Sequence, residues 1–385
     1  MHIHTHLMLV SDQPTPNLTP AIDQTIKPQR IILLVSPNMS QRAQWLAEIY
    51  RPRGIQVEQW PIDNAWDISH IQEQVMALLE KEDHLCQQKA LALNATGGTK
   101  PMSIAAYDAF RAWELPIYYV HPEQDELIWL HPEGQPPHAL EDRVRIKDFL
   151  LAHGAQIQAM GHHQVPPTYR DLAQRLITDI DYFADALGVL NWYANSAART
   201  LHSLPLEKRY ATFNALQDLL DSMEAIHLLR QNNGQLIFVD EDARFFANGG
   251  WLEQYVFTIL NSLKKELPAI QDTAQGIEVI RGEGQSRNEL DIAFLANNRF
   301  HLIECKAKRF DRGQASSGSE ALYKLDSLAD TIGGLKAKAM LISYKPLPQH
   351  DAQRARDLRI QVLQGRQLQQ LALHLKTWIT TGSPQ

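Results

Sequence analysis

Apolar runs alternate with amphipathic stretches over the early part of the chain. His2 to Val10, Ile31 to Val35, Ile55 to Trp60, Ala90 to Asn94, Ile117 to Val120 and Leu127 to Leu130 read as strands. Between the early members, Gln41 to Tyr50, Ile68 to Leu85 and Ser103 to Trp113 repeat apolar residues at helical spacing. That alternation predicts an α/β domain with a largely parallel sheet, whose ligand edge lies beyond the strand carboxyl ends. Three loops fall there: Ser11 to Asn17, Ser36 to Asn38 and Thr96 to Lys100. Pro132 to Pro137 ends the main sheet, and a tail follows near Val144 to His153.

From Pro166 to about Leu229 the pattern is helical, with Tyr169, Leu172, Leu176 and Ile180, then Phe213, Leu216, Leu219 and Leu220 at spacings of three and four. It predicts a winged-helix-like module or a helical spacer, whose Tyr182, Phe183, Trp192 and Tyr193 are read as packing residues rather than base-stacking ones. Trp251, Tyr255, Ile259 and Leu260 mark another helix. Leu290 to Leu295 and Arg299 to Cys305 are apolar segments joined by Asn297-Asn298, which predicts a β-hairpin, and Ala339 to Ser343 reads as a further core strand. The domains expected are therefore 1–160, 161–240 and 241–385.

The hairpin carries chemistry. Antiparallel pairing brings Asp291, early in the first strand, beside Glu304, late in the second, and alternation puts Glu304 and Lys306 on one face. Acids at strand ends are more often surface charges, but acids embedded in apolar strands are costly unless paired or bound to metal. Two carboxylates and waters suit Mg²⁺ or Mn²⁺. Such an ion lowers the pKa of a water and neutralises charge on a phosphoryl oxygen, while Lys306 orients the water or stabilises the transition state. The helix holding Glu253 supplies a further carboxylate, and Glu289, upstream of the first strand, is a weaker candidate, read as facing away from Asp291 only if the strand already includes it. The metal set expected is Glu253, Asp291 and Glu304.

A second constellation follows the Ala90 to Asn94 strand: Thr96, Gly97, Gly98, Thr99 and Lys100, then a helix opened by Pro101. Glycines allow close backbone approach and the helix start offers free N–H groups to an anion, so the loop is expected to bind phosphate. It is neither a Walker A loop nor a dinucleotide fingerprint; a ligand-free tight turn is the alternative.

Glu253, Asp291 and Glu304-Cys305-Lys306 resemble the PD-(D/E)xK nuclease superfamily, with Leu290 standing where the superfamily often has proline. Asn94-x-Thr96-Gly97-Gly98-Thr99-Lys100-x-Met102 is similar to the signature loop of CARF domains, Rossmann-like sensors that bind cyclic oligoadenylates across a two-fold dimer axis. Jointly they resemble the Card/Can group, cyclic-oligoadenylate-activated ancillary nucleases of type III CRISPR defence. The resemblance implies an α/β fold with a Rossmann-like CARF domain, a helical middle and a C-terminal PD-(D/E)xK domain with a mixed sheet. It also implies a homodimer, ligand contacts from Asn94, Thr96 to Lys100 and Met102, cyclic tetraadenylate as the expected activator, and cleavage of DNA, RNA or both; the loops at the sheet's ligand edge add Ser11, Asn17, Ser36 and Asn38 as expected contacts.

Composition narrows the rest. With 385 residues, 44% hydrophobic and 21% charged, the chain has ample core for two or three domains. A net charge of -7 argues against a broad basic coat, so nucleic-acid contact is local. Cys86 and Cys305 fit a reducing cytosol, and no run of eighteen or more apolar residues appears, so a cytoplasmic protein with no membrane partner is expected. Two rival readings are a non-catalytic ligand-responsive DNA-binding regulator and a ligand-independent repair or restriction nuclease.

Overall fold

A computed structural model describes residues 3–121, 124–161, 164–281, 286–307 and 317–381. Strands β1 (Thr5–Leu9), β2 (Arg30–Val35), β3 (Gln56–Pro61), β4 (Leu91–Asn94), β5 (Ile117–Val120), β6 (Glu126–His131) and β7 (His138–Ala139) form one sheet in the order β3-β2-β1-β4-β5-β6-β7. β1 to β5 are parallel; β6 and β7 run antiparallel at the edge. Met8, Ile31, Leu33 and Val35 pack on the helix Ser40–Tyr50, while Leu7, Leu9, Ile32 and Leu34 pack on the helices Ile68–Lys81 and Lys100–Ala112. A sheet covered on both faces is why these strands read as continuous apolar runs. Strand order reverses between β1 and β4, and the carboxyl ends of these two strands are where sheets of this kind bind ligands.

The expected tail is a helix, Ile146–Ala152, followed by β8 (Ala155–Ala159). After the helices Pro167–Thr178, Ile180–Ser196 and Asn214–Ala225 comes a two-stranded ribbon, β9 (Leu229–Asn232) and β10 (Gln235–Phe238). β11 (Ile270–Arg281), β12 (Ser286–Ala296), β13 (Arg299–Lys306), β14 (Lys338–Ser343) and β15 (Gln361–Gln364) then build a mixed sheet in the order β15-β14-β13-β12-β11-β8. β13, β14 and β15 are parallel and the rest antiparallel.

Three expectations change. The segment Ile68 to Leu85 is two helices, Ile68–Lys81 and Asp83–Gln87, broken at Glu82. β8 belongs to the C-terminal sheet although it precedes the helical middle. The middle itself is no detached spacer, since Leu176, Leu190, Leu216 and Leu220 share one core with Trp251, Phe294 and Met340. A second core runs from Met8 and Ile31 across to Leu290 and Leu341, with Phe149 stacked on Phe300 at 5.1 Å between ring centroids, so the two sheets are joined by buried apolar surface. His6 is buried against Tyr118, and desolvation lowers its pKa to about 3; this leaves it a neutral core residue, while His2 lies outside the described residues. Among the described residues no helix is long and apolar enough to cross a membrane.

Candidate active site and sheet-edge loop

The β12–β13 hairpin turns at Asn297 and Asn298, both at φ 50, the left-handed geometry that matches the twist of a tight hairpin. Ile292 pairs with Ile303, and one further step of that register sets Asp291 beside Glu304 on a shared face. The Cys305 amide donates to Asp291 Oδ2 at 2.7 Å, and Lys306 Nζ donates to Glu304 Oε1 at 2.5 Å. Glu304 is buried, while Asp291 and Lys306 are half-buried.

Glu253 enters from the first turn of the helix Trp251–Glu266. Just before that helix, Phe246–Gly250 forms a wide turn in which Gly249 has φ 112. A Cβ at Gly249 would stand 2.6 Å from the Ala307 Cβ, so glycine is what lets the helix start lie against the end of β13. The Asn191 side-chain amide, from the helix Ile180–Ser196, donates to the Ala307 carbonyl and holds the same point. Thus the middle helices, the Glu253 helix and the strand that ends in Lys306 meet at one residue.

Charge is crowded here. Burial first, then the charges of Asp291, Glu289 and Glu304, hold the Glu253 carboxyl well above the usual range. Burial and the Glu304 charge push Asp291 up to about 7, against the opposing pull of the Cys305 amide and Lys306. For Lys306 burial favours the neutral amine, but Glu304 and Asp291 outweigh it and raise the pKa, keeping an ammonium. Burial raises the Cys305 thiol well above its ordinary value, leaving it a neutral wall. Glu289 corrects an expectation: β12 begins at Ser286, so Glu289 sits two residues from Asp291 on the same face, and its charge acts on both Asp291 and Glu253. Alternation would have found it, had the strand been read as long enough.

Carboxylates that resist ionising together are suited to a divalent cation, which supplies the missing positive charge through hard oxygen donors. Among the described residues no three His, Cys, Asp or Glu side chains already stand in ligating geometry. Glu304 is engaged by Lys306 and Asp291 by the Cys305 amide, so the donor chemistry fits a metal while the cage itself is not preformed. Of the polar stretch Arg309 to Ser319 that follows Lys306 in the sequence, residues up to 316 lie outside the described residues. Lys324 is exposed on the helix Ser317–Gly333.

At the edge of the first sheet, the side-chain amide of Asn94 donates to the Pro16 carbonyl at 2.9 Å and to Asn17 Oδ1 at 3.0 Å. Asn17 in turn donates to the Leu9 carbonyl at 2.8 Å. The Asn94 oxygen accepts from the Thr96 hydroxyl at 2.7 Å, and Thr96 Oγ1 accepts the Val120 amide at 2.8 Å. Thr99 caps the following helix and donates to the Ala65 carbonyl at 2.6 Å. Gly97 is held so close that a Cβ would lie 2.1 Å from the Leu9 carbonyl oxygen, and Gly98 has φ +73. Asn17, Asn94 and Met102 are buried beneath the loop, Ser36 is buried at the end of β2, Ser11 is half-buried, and Asn38 and Lys100 are exposed. The loops after β1 and β4 are therefore one bonded unit.

Residues 5–149 match the family described as the Card1 CARF domain, and residues 240–381 match the family described as the Card1-like endonuclease domain. Protein VC1899 from Vibrio cholerae is similar over 99% of this chain and 99% of its own, at 30% identity and a TM-score of 0.90. Can2 from Sulfobacillus thermosulfidooxidans, solved in complex with cyclic tetra-adenylate, is 30% identical over 98% of this chain and 99% of its own, with a TM-score of 0.81. A type III CRISPR defence DNA nuclease activated by cyclic oligoadenylate shares the fold at 17% identity, covering 90% of this chain and 47% of its own with a TM-score of 0.59. No curated protein matches the chain.

Proposed function

The chain belongs to the Card1-like family of CARF-domain endonucleases, and from that premise we propose that it hydrolyses nucleic-acid phosphodiesters with a divalent metal when a cyclic oligoadenylate occupies the edge of its first sheet. The observation that carries this reading is the convergence of Glu253, Asp291 and Glu304 with Lys306, four ionisable groups drawn from one helix and one hairpin.

Mg²⁺ or Mn²⁺ held among Glu253, Asp291 and Glu304 would supply Lewis-acid charge and lower the pKa of an attacking water. The chain's own part is positional. Asp291 is oriented by the Cys305 amide, Glu253 is set by the glycine turn, and Lys306 keeps an ammonium that stabilises negative charge growing on the phosphoryl oxygens. Glu304 would be one of the groups that hold the metal, and Lys306, its ion-pair partner, would supply positive charge toward the scissile phosphate.

The complex of Can2 with cyclic tetra-adenylate supports the tetraadenylate as activator. In this chain Thr96 and Gly98, with Lys100, Ser11 and Asn38, face the ligand, while Gly97, Asn17, Asn94, Ser36, Thr99 and Met102 shape the loop from beneath. A homodimer is supported by Trp66, Ile68 and Ile104, all exposed on elements flanking the loop. Two buried, unpaired cysteines suit a reducing cytoplasm. A role in CRISPR antiviral defence follows the family.

The test combines purified protein, Mn²⁺ or Mg²⁺, cyclic tri-, tetra- and hexaadenylate, and supercoiled plasmid beside single-stranded DNA and RNA. Cleavage that requires both metal and the tetraadenylate is expected. No cleavage under any combination, or cleavage indifferent to ligand, overturns the reading.

A further inference from the structure

We propose that the cleft between Trp192, Arg209, Tyr210 and Asn248 is a nucleobase subsite, holding an unpaired base of the substrate strand beside the catalytic centre. The proposal rests on the nuclease reading and adds a substrate class to it.

The cleft has a volume of about 530 Å³, room for a base with its sugar. Its walls supply both recognition elements a base needs, flat π surface and amide polarity. Trp192 is 55% exposed although its neighbour Tyr193 is buried and packs edge-on to it at 4.8 Å, so the indole contributes little to the core and stands open to the cleft. Packing was the expected role of all four aromatics of this helix; Phe183 and Tyr193 are buried, whereas Tyr182 and Trp192 are 47% and 55% exposed, and Trp192 lines the cleft. The same cleft is lined by Arg209, whose guanidinium lies 4.8 Å from the Tyr210 ring centroid and is paired with Glu207. Among the described residues Asn248 Oδ1 is buried with no hydrogen-bond partner, an acceptor without a donor at the cleft wall.

The cleft adjoins the catalytic strand. Asn191, which lines it, donates to the carbonyl of Ala307, the residue after Lys306, and Asn248 precedes the glycine that packs on Ala307. A base in a duplex is already stacked and hydrogen-bonded, so this cleft serves single strands or extruded bases.

The test is anisotropy of a labelled single strand of roughly twenty nucleotides titrated with full-length protein, without metal and with cyclic tetraadenylate present. Trp192→Ala is expected to weaken binding about tenfold and Trp192→Phe to restore most of it, with a matched duplex affected less. Equal affinity of wild type and Trp192→Ala, or no binding by either, overturns the subsite. Plasmid cleavage by the same wild-type preparation once Mn²⁺ is added separates that failure from a failure of the nuclease reading.

Discussion

Asp291 and Cys305 are joined across the β12–β13 hairpin, the Cys305 amide donating to Asp291 Oδ2 at 2.7 Å, on the one residue that separates Glu304 from Lys306. The bond orients the carboxylate but does not keep it ionised, because burial and the Glu304 charge push Asp291 up to about 7. A neutral acid is a poor metal ligand, so the apparent affinity for Mn²⁺ falls as pH drops through 7. Stability of the metal-free protein runs the other way. A carboxyl whose folded pKa is raised from 3.8 to about 7 contributes stability at low pH that is lost as pH rises across that window. Thermal melts from pH 5 to 8, with and without Mn²⁺, check both signs.

Gly249 permits the approach that sets Glu253. Gly249→Ala adds a Cβ 2.6 Å from Ala307 at φ 112, a conformation that costs alanine about 1–3 kcal/mol. The expected result is a lower melting temperature together with loss of cleavage, while binding of cyclic tetraadenylate to the first sheet is retained. Calorimetry with the ligand separates the two effects.

Gly97 has the complementary role at the other sheet. In Gly97→Ala the new methyl would sit 2.1 Å from the Leu9 carbonyl oxygen, so the loop must move off β1 and the bonded unit of Asn17, Asn94 and Thr96 opens. Ligand affinity should fall at least tenfold, while Mn²⁺ affinity, read by calorimetry, stays near wild type.

Trp66 is 74% exposed and Ile104 52% exposed, beside the loop through the Ala65–Thr99 hydrogen bond and the helix Lys100–Ala112. The double variant Trp66→Glu, Ile104→Glu places like charges on the surface proposed to meet a second copy of the chain. It should sediment as a monomer and lose activation by ligand, with a melting curve close to wild type, since both side chains are largely solvated.

Both sheets were partly legible because their central strands are buried on two faces and therefore read as apolar runs, as at Ile31 to Val35 and Ala339 to Ser343. β11 was not, since Gln271, Asp272, Thr273 and Gln275 interrupt its apolar residues, and its β-character comes from pairing with β12 and β8. The start of β12 was hidden for the same reason, and Glu289 with it. Asp291, Glu304 and Lys306 were visible from hairpin spacing alone. The contributions of Gly249, Asn191 and the Trp192 cleft were not, because they arise where elements distant in sequence meet at Ala307.

The carboxylate cluster is most directly tested by the single-turnover rate of Mn²⁺-dependent cleavage, at saturating cyclic tetraadenylate, for wild type and Glu304→Gln. The substitution keeps the shape and removes one negative charge, and the rate is expected to fall about a thousandfold with fold and ligand binding unchanged. A Glu304→Gln variant that cleaves at the wild-type rate would place the chemistry elsewhere in the molecule.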